Sequence, residues 1–296
     1  MEQKIVKRYR VAHSPDADDI AMFGPVQLGW VDVGGGYISL SATTEDIETL
    51  NQKSLEGVYD ITAISFGVYP FIKESYALLR TGVSFGYGYG PKLVKRKGAK
   101  LRRRFKVALS GEFTSNALIF KIAYPDARPV YMRFDQIEEA VLKGEVEAGV
   151  LIHESILKLH PELEVERELW ELWVELVGEE LPLPLGGMAI RRSIPLWTAL
   201  QIEEGLKRGV ELNYRCRGRL VATLTALGKL GGDEKLLDRY LEMYAGERSV
   251  QMGERELKGV ETLYQLGYRA GLLPAMGPVE LYLLPESYRE LRLGRV

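Results

Sequence analysis

Gly82-Val83-Ser84-Phe85-Gly86-Tyr87-Gly88-Tyr89-Gly90-Pro91 is the stretch on which the reading of this chain turns. Glycine alternating with aromatic residues and closed by proline suits neither a helix interior nor a long strand, so the chain changes direction there. A second break, Leu181-Pro182-Leu183-Pro184-Leu185-Gly186-Gly187, is too rich in proline for a helix. Around these breaks short apolar runs alternate with helical patterns, the signature of βαβ units. Two crossings between the same two bodies imply a discontinuous arrangement. Residues 1–91 and 189–296 form lobe one, residues 92–188 form lobe two, and a cleft lies between them. The fold class is α/β.

Working outward, Tyr9 to His13 predicts a first strand, leading through Ser14 and Pro15 into an acidic helix start at Asp16, Asp18 and Asp19. A second strand is expected near Tyr37 to Ser41. The helix over 44–57 has Thr43 or Thr44 as cap, Glu45 and Asp46 at its positive end and Gly57 at its exit. Strands follow at Asp60 to Ser65, Tyr76 to Gly82 and Lys106 to Leu109. Asp135 and Glu138 resemble a capping box for a helix ending at Gly144. Ala148 to Ile152 is a short apolar strand with His153 at its carboxyl end. A Trp-bearing helix covers Leu169 to Val177, and helices at Pro195 to Tyr214, Asp233 to Tyr244 and Glu254 to Ala270 complete the chain.

The 296 residues carry a net charge of −2, with 46% hydrophobic and 27% charged side chains. That composition is globular, and its charge balance argues against a nucleic-acid partner, which would need a surplus of Lys and Arg. Cys216 is the single cysteine, so no internal disulfide can form. No apolar run approaches the ~18 residues that span a bilayer, and the amino terminus lacks the apolar stretch of a signal peptide. The expected setting is cytoplasmic, with no membrane partner, for a monomer or homodimer. The basic run from Lys92 to Lys106 reads as a solvated strand pair. Gly86 to Gly90 opens no helix and is not followed by Lys and Ser or Thr, so it is no P-loop.

In open α/β sheets ligands gather outside the carboxyl ends of strands. That rule selects Ser14, Ser65, Ser110 with Thr114 and Ser115, and His153. Hydroxyls and helix-start N–H groups suit a small carboxylate-bearing ligand, although Ser and Thr after strands also serve simply as helix caps. Asn51 falls on the apolar face of its helix, where it either ties down a loop or points at a ligand. His153 delivers an imidazole able to take and return a proton near neutral pH. The alternative is a histidine bonded only to a backbone carbonyl. No His, Cys and carboxylate spacing indicates a metal site.

Taken in order, several elements resemble 1,4-dihydroxy-6-naphthoate synthase of the futalosine route to menaquinone. They are Ser14-Pro15 with Asp19 and Phe23, Asp46-Ile47-Glu48-Thr49-Leu50-Asn51, Ser65, and Gly90-Pro91. Further on come Gly144-Glu145-Val146-Glu147-Ala148-Gly149, Ile152-His153-Glu154-Ser155 and Leu181 to Gly186. The resemblance spans residues 8–192 and implies a type II periplasmic-binding-protein-like fold. It also implies a cofactor-independent lyase that converts cyclic dehypoxanthine futalosine to 1,4-dihydroxy-6-naphthoate. His153 is the base it implies; Asn51, Ser65, Thr114 and Ser115 are the residues it places along the pocket. Many members read Ser-Pro-Cys-Pro-Asn-Asp-Thr where this chain has Ser14-Pro15-Asp16-Ala17-Asp18-Asp19-Ile20, so Asp18 and Ile20 depart from the pattern. Two other activities fit the same fold: chorismate dehydratase, and capture of a small acid without catalysis.

Overall fold

A computed structural model describes residues 6–152 and 156–286. The first sheet is built from β1 (Lys7–His13), β2 (Ile38–Thr44), β3 (Ile61–Ser65), β4 (Tyr76–Leu78), β5 (Ser84–Gly86) and β11 (Leu183–Arg191). Its order is β2-β1-β3-β11-β4, with β5 also pairing β11. The second sheet holds β6 (Lys92–Arg96), β7 (Lys106–Leu109), β8 (Arg128–Tyr131), β9 (Ala148–Leu151) and β10 (Leu163–Glu168) in the order β10-β6-β9-β7-β8. β1 runs parallel to β2 and β3, and β7 runs parallel to β8 and β9, so each sheet has a parallel heart. The α/β architecture follows from this alternation of parallel strands and helices.

Helices cover both sheets: α1 (Ala17–Gln27), α2 (Ile47–Glu56), α3 (Tyr69–Ile72), α4 (Ser115–Ala123), α5 (Phe134–Lys143), α6 (Leu169–Val177), α7 (Leu196–Arg215), α8 (Arg217–Ala226), α9 (Glu234–Tyr244) and α10 (Glu254–Arg269). α1 packs against α7, α8 and α9, so the carboxyl-terminal helices belong to the first sheet's layer. Local chemistry sets several ends. Asp46 caps α2 by accepting the Thr49 N–H at 3.2 Å, while Thr44 is the last residue of β2. The cap expected at Thr43 or Thr44 therefore sits two residues later, because the strand extends to 44. Gly57 and Gly144 end α2 and α5 in the left-handed conformation glycine tolerates. The expected capping box at Asp135 is absent: α5 starts at Phe134, and its cap position is Arg133, two residues before Asp135.

The proline-rich segment at 181–187 is a strand rather than a bare connection. Pro184 faces β5 where the register shifts between Pro184 and Gly186, a position at which a missing N–H costs no ladder bond. From Gly186 onward the same strand pairs β3, so Leu183–Arg191 belongs to the first sheet along its length. Just before it, the fully buried Trp173 of α6 donates its indole N–H to the Leu181 carbonyl at 2.8 Å. That bond fixes where the chain leaves the second sheet. The basic residues of β6 are paired across the surface with β10, Lys92 with Glu168 at 3.3 Å and Lys95 with Glu164 at 3.4 Å and with Glu166. Among the described residues no helix is long and apolar enough to cross a membrane.

The interlobe cleft as candidate active site

The carboxyl ends of β1, β3, β7 and β9 converge on one cleft between the sheets, whose empty space is about 800 Å³. Ser14, Ser65, Ser110 and Ile152, the residues that end or directly follow those four strands, all line it. α9 adds Tyr240 and Tyr244 to the wall. These stand one helical turn apart on the face of α9 that packs inward, and Tyr89, from the first crossing, meets Tyr244 edge-on with ring centroids 5.3 Å apart.

The hydroxyls differ in what they already hold. Ser65 receives an N–H bond from Asn51 Nδ2 at 3.1 Å, and its own backbone N–H donates to Asn51 Oδ1 at 2.8 Å. Among the described residues the Ser65 hydroxyl donates to none, so its proton is available to a ligand. Asn51 is fully buried and does not line the cleft; its amide ties α2 to the end of β3. Thr114 caps α4, accepting the Ala117 N–H at 3.3 Å and donating to the Gly111 carbonyl at 3.0 Å. Ser115 Oγ donates to the Leu185 carbonyl at 2.6 Å and accepts the Gly67 N–H at 3.1 Å, two bonds to the other sheet. Thr114 and Ser115 thus line the cleft with their hydroxyl protons engaged. The positive end of α4 remains to face an anion.

Ser14 begins a compact acidic turn. Its hydroxyl donates to Asp16 Oδ2 at 2.5 Å, and its N–H donates to Asp19 Oδ2 at 2.7 Å. Burial pushes the Asp19 carboxyl up to about 7; the Ser14 N–H opposes the shift and the Asp16 charge adds to it. Asp16, Asp18 and Asp19 all line the cleft, and Tyr240 Oη reaches Asp18 Oδ1 at 3.4 Å. Asp18, one of the two departures from the resembled pattern, therefore puts a carboxylate on the cleft wall. Beneath this turn the buried His13 bonds the Ser14 carbonyl through Nδ1 at 2.7 Å, and burial lowers its pKa.

A carboxyl whose pKa rises on folding binds its proton more tightly in the folded chain than in the unfolded one. Folding is then favoured below the ordinary carboxyl value of 3.8, and that advantage is lost as pH rises towards about 7. Asp19→Asn removes this titration while keeping an acceptor for Ser14. Thermal melts should show the variant more stable than the parent at pH 8, by on the order of 2 kcal/mol after allowance for cleft water, and no different near pH 4. A stability difference that does not change with pH would contradict the assignment.

His153 lies outside the described residues. Ile152 and Ile156, the described residues on either side of 153–155, both line the cleft. Among the described residues no group of three or more His, Cys, Asp or Glu is placed to hold a metal ion.

A family model described as menaquinone biosynthesis matches residues 9–269. The chain belongs to that family. It is 29% identical over 265 residues to the 1,4-dihydroxy-6-naphtoate synthase of Thermus thermophilus, covering 89% of this chain and 95% of that protein. The synthase of the same name from Streptomyces coelicolor is 28% identical over 281 residues, covering 91% and 96%. A crystallised protein from Archaeoglobus fulgidus superimposes with a TM-score of 0.82 at 34% identity, covering 90% of this chain and 98% of its own. The alkanesulfonate-binding protein of Xanthomonas axonopodis pv. citri superimposes with a TM-score of 0.66 at 14% identity, covering 93% and 97%. That last likeness concerns the fold alone and gives the family its architecture, the periplasmic-binding-protein fold. The family match extends through α9, so Tyr240 and Tyr244 fall inside it.

Proposed function

We propose that this chain is a 1,4-dihydroxy-6-naphthoate synthase, a lyase that converts cyclic dehypoxanthine futalosine to 1,4-dihydroxy-6-naphthoate in menaquinone biosynthesis. The near end-to-end match to two proteins named for that activity carries the reading. The cleft supports it: strand-end hydroxyls and the start of α4 suit a carboxylate, and aromatic side chains suit a fused ring. In this reading the substrate carboxylate lies at the positive end of α4, with Ser65 donating a hydrogen bond. His153 removes a proton, carbon–carbon fragmentation releases the small sugar-derived remainder of the substrate, and the ring aromatises. Enclosure between the lobes excludes water from the reacting centre. No cofactor takes part, and the enzyme works in the cytoplasm; a single unpaired cysteine is compatible with a reducing compartment.

Purified protein incubated with cyclic dehypoxanthine futalosine should yield 1,4-dihydroxy-6-naphthoate by mass spectrometry. A parallel incubation with chorismate should leave it unchanged. Consumption of chorismate with no naphthoate would reassign the chain to the dehydratase. Stoichiometric retention of the futalosine with no product would make it a binding protein.

A further inference from the structure

We propose that Glu48 is the closure residue of the cleft: a carboxylate of lobe one that receives the 110–114 loop of lobe two and so sets the spacing between Ser65 and the start of α4. Its consequence for turnover rests on the cleft being the reaction site. The closure itself does not.

Glu48 lies in the first turn of α2, yet its two oxygens reach backbone groups of lobe two. Oε1 accepts the Glu112 N–H at 3.0 Å and Oε2 accepts the Phe113 N–H at 3.2 Å, from residues 64 and 65 positions away. On its own lobe Gln52 donates to Oε1 at 3.3 Å and Asn51 to Oε2 at 3.5 Å. Asn51 holds both the N–H and the hydroxyl of Ser65, so a hydrogen-bonded chain runs from Phe113 through Glu48 and Asn51 to the strand end in the cleft. The loop comes so close that a Cβ on Gly111 would lie 2.2 Å from Glu48 Oε2. Gly111 is not among the glycines with positive φ, so space rather than backbone conformation requires glycine there.

Two adjacent N–H groups meeting two oxygens is a carboxylate's geometry. Glutamine has the same size, but one terminal group would turn a donor towards a donor. Burial raises the Glu48 pKa, and the Phe113, Asn51, Gln52 and Glu112 donors oppose the shift. The ionisable groups that face it from lobe two are Glu112, Lys121 of α4 and Tyr131 of β8. A glutamate serving only the α2 dipole would need none of these contacts to the other lobe.

The test is amide exchange on the full ligand-free chain, with Glu48→Ala, Glu48→Gln, Gly111→Ala and the Glu48→Ala/Gly111→Ala double variant. Exchange at Glu112 and Phe113 should accelerate by about tenfold or more in Glu48→Ala. Glu48→Gln should free one of the two amides, and the amide of Leu118, held within α4, should not change. Gly111→Ala, which leaves α2 untouched, should reproduce the acceleration even if a Glu48 variant folds poorly. In the double variant the added methyl enters the space left by the carboxylate, so its exchange should be no faster than that of Glu48→Ala alone. On cyclic dehypoxanthine futalosine, kcat/KM should fall by about tenfold or more in the same variants. Unchanged exchange at Glu112 and Phe113 in Glu48→Ala, or fully additive effects in the double variant, would overturn the closure role. Altered exchange with a wild-type protein that makes no naphthoate would uphold the closure and overturn the activity.

Discussion

His153→Ala should lower turnover of cyclic dehypoxanthine futalosine by at least ~10²–10⁴-fold, the ordinary worth of a positioned general base. An imidazole suits the task because its pKa lies near the working pH, so it can take a proton and return it within one cycle. No other histidine is placed to substitute. His13 is buried under the acidic turn, its Nδ1 bonded to the Ser14 carbonyl, and His160 lies in the loop before β10, with Nδ1 accepting the Glu162 N–H at 3.2 Å. Circular dichroism and thermal melting should be unaltered in the variant, which separates lost chemistry from lost fold. Turnover near that of the parent would remove His153 from the mechanism.

Gly67→Ala should cost about 10²-fold in kcat/KM through spacing alone, the scale of loss that a misplacement of about 1 Å produces. A Cβ at this position would stand 2.7 Å from the Phe113 carbonyl oxygen and 3.0 Å from that of Thr114. Both are backbone atoms, which cannot swing aside as a side chain does. The second lobe must therefore back away, taking with it Ser115, whose hydroxyl accepts the Gly67 N–H. Gly67 is not among the positive-φ glycines, so alanine brings no backbone strain of its own. Melting should move little while catalysis falls. A kcat/KM within twofold of the parent would show that the lobes tolerate a wider seam.

How far these features could be read in the sequence differs residue by residue. The two crossings were legible because glycine alternates with aromatic residues at the first and proline and glycine cluster at the second. Pro184 obscured the strand that runs through the second crossing, since its missing N–H matters only once the partner strand and register are known. Asn51 announced itself as an amide on an apolar face, but the choice between ligand and loop depended on where β3 ends beside α2. Thr114 showed both natures: it is the cap of α4 and it lines the cleft. Tyr240 and Tyr244 were hidden for another reason. Their spacing on α9 marks a common face, but only packing of α9 beside the first crossing turns that face to the cleft. Glu48 stood inside the Asp46 to Asn51 element, but its contact with lobe two carried no signal of its own, because an acidic residue in a first helical turn is ordinary.

The two crossings do not run as separate tethers. β5 and β11 are hydrogen-bonded neighbours, with Leu183 opposite Gly86 and Pro184 opposite Phe85. The points where the chain leaves the first sheet and returns to it are thus anchored side by side in one ladder, so a displacement at either crossing loads the other.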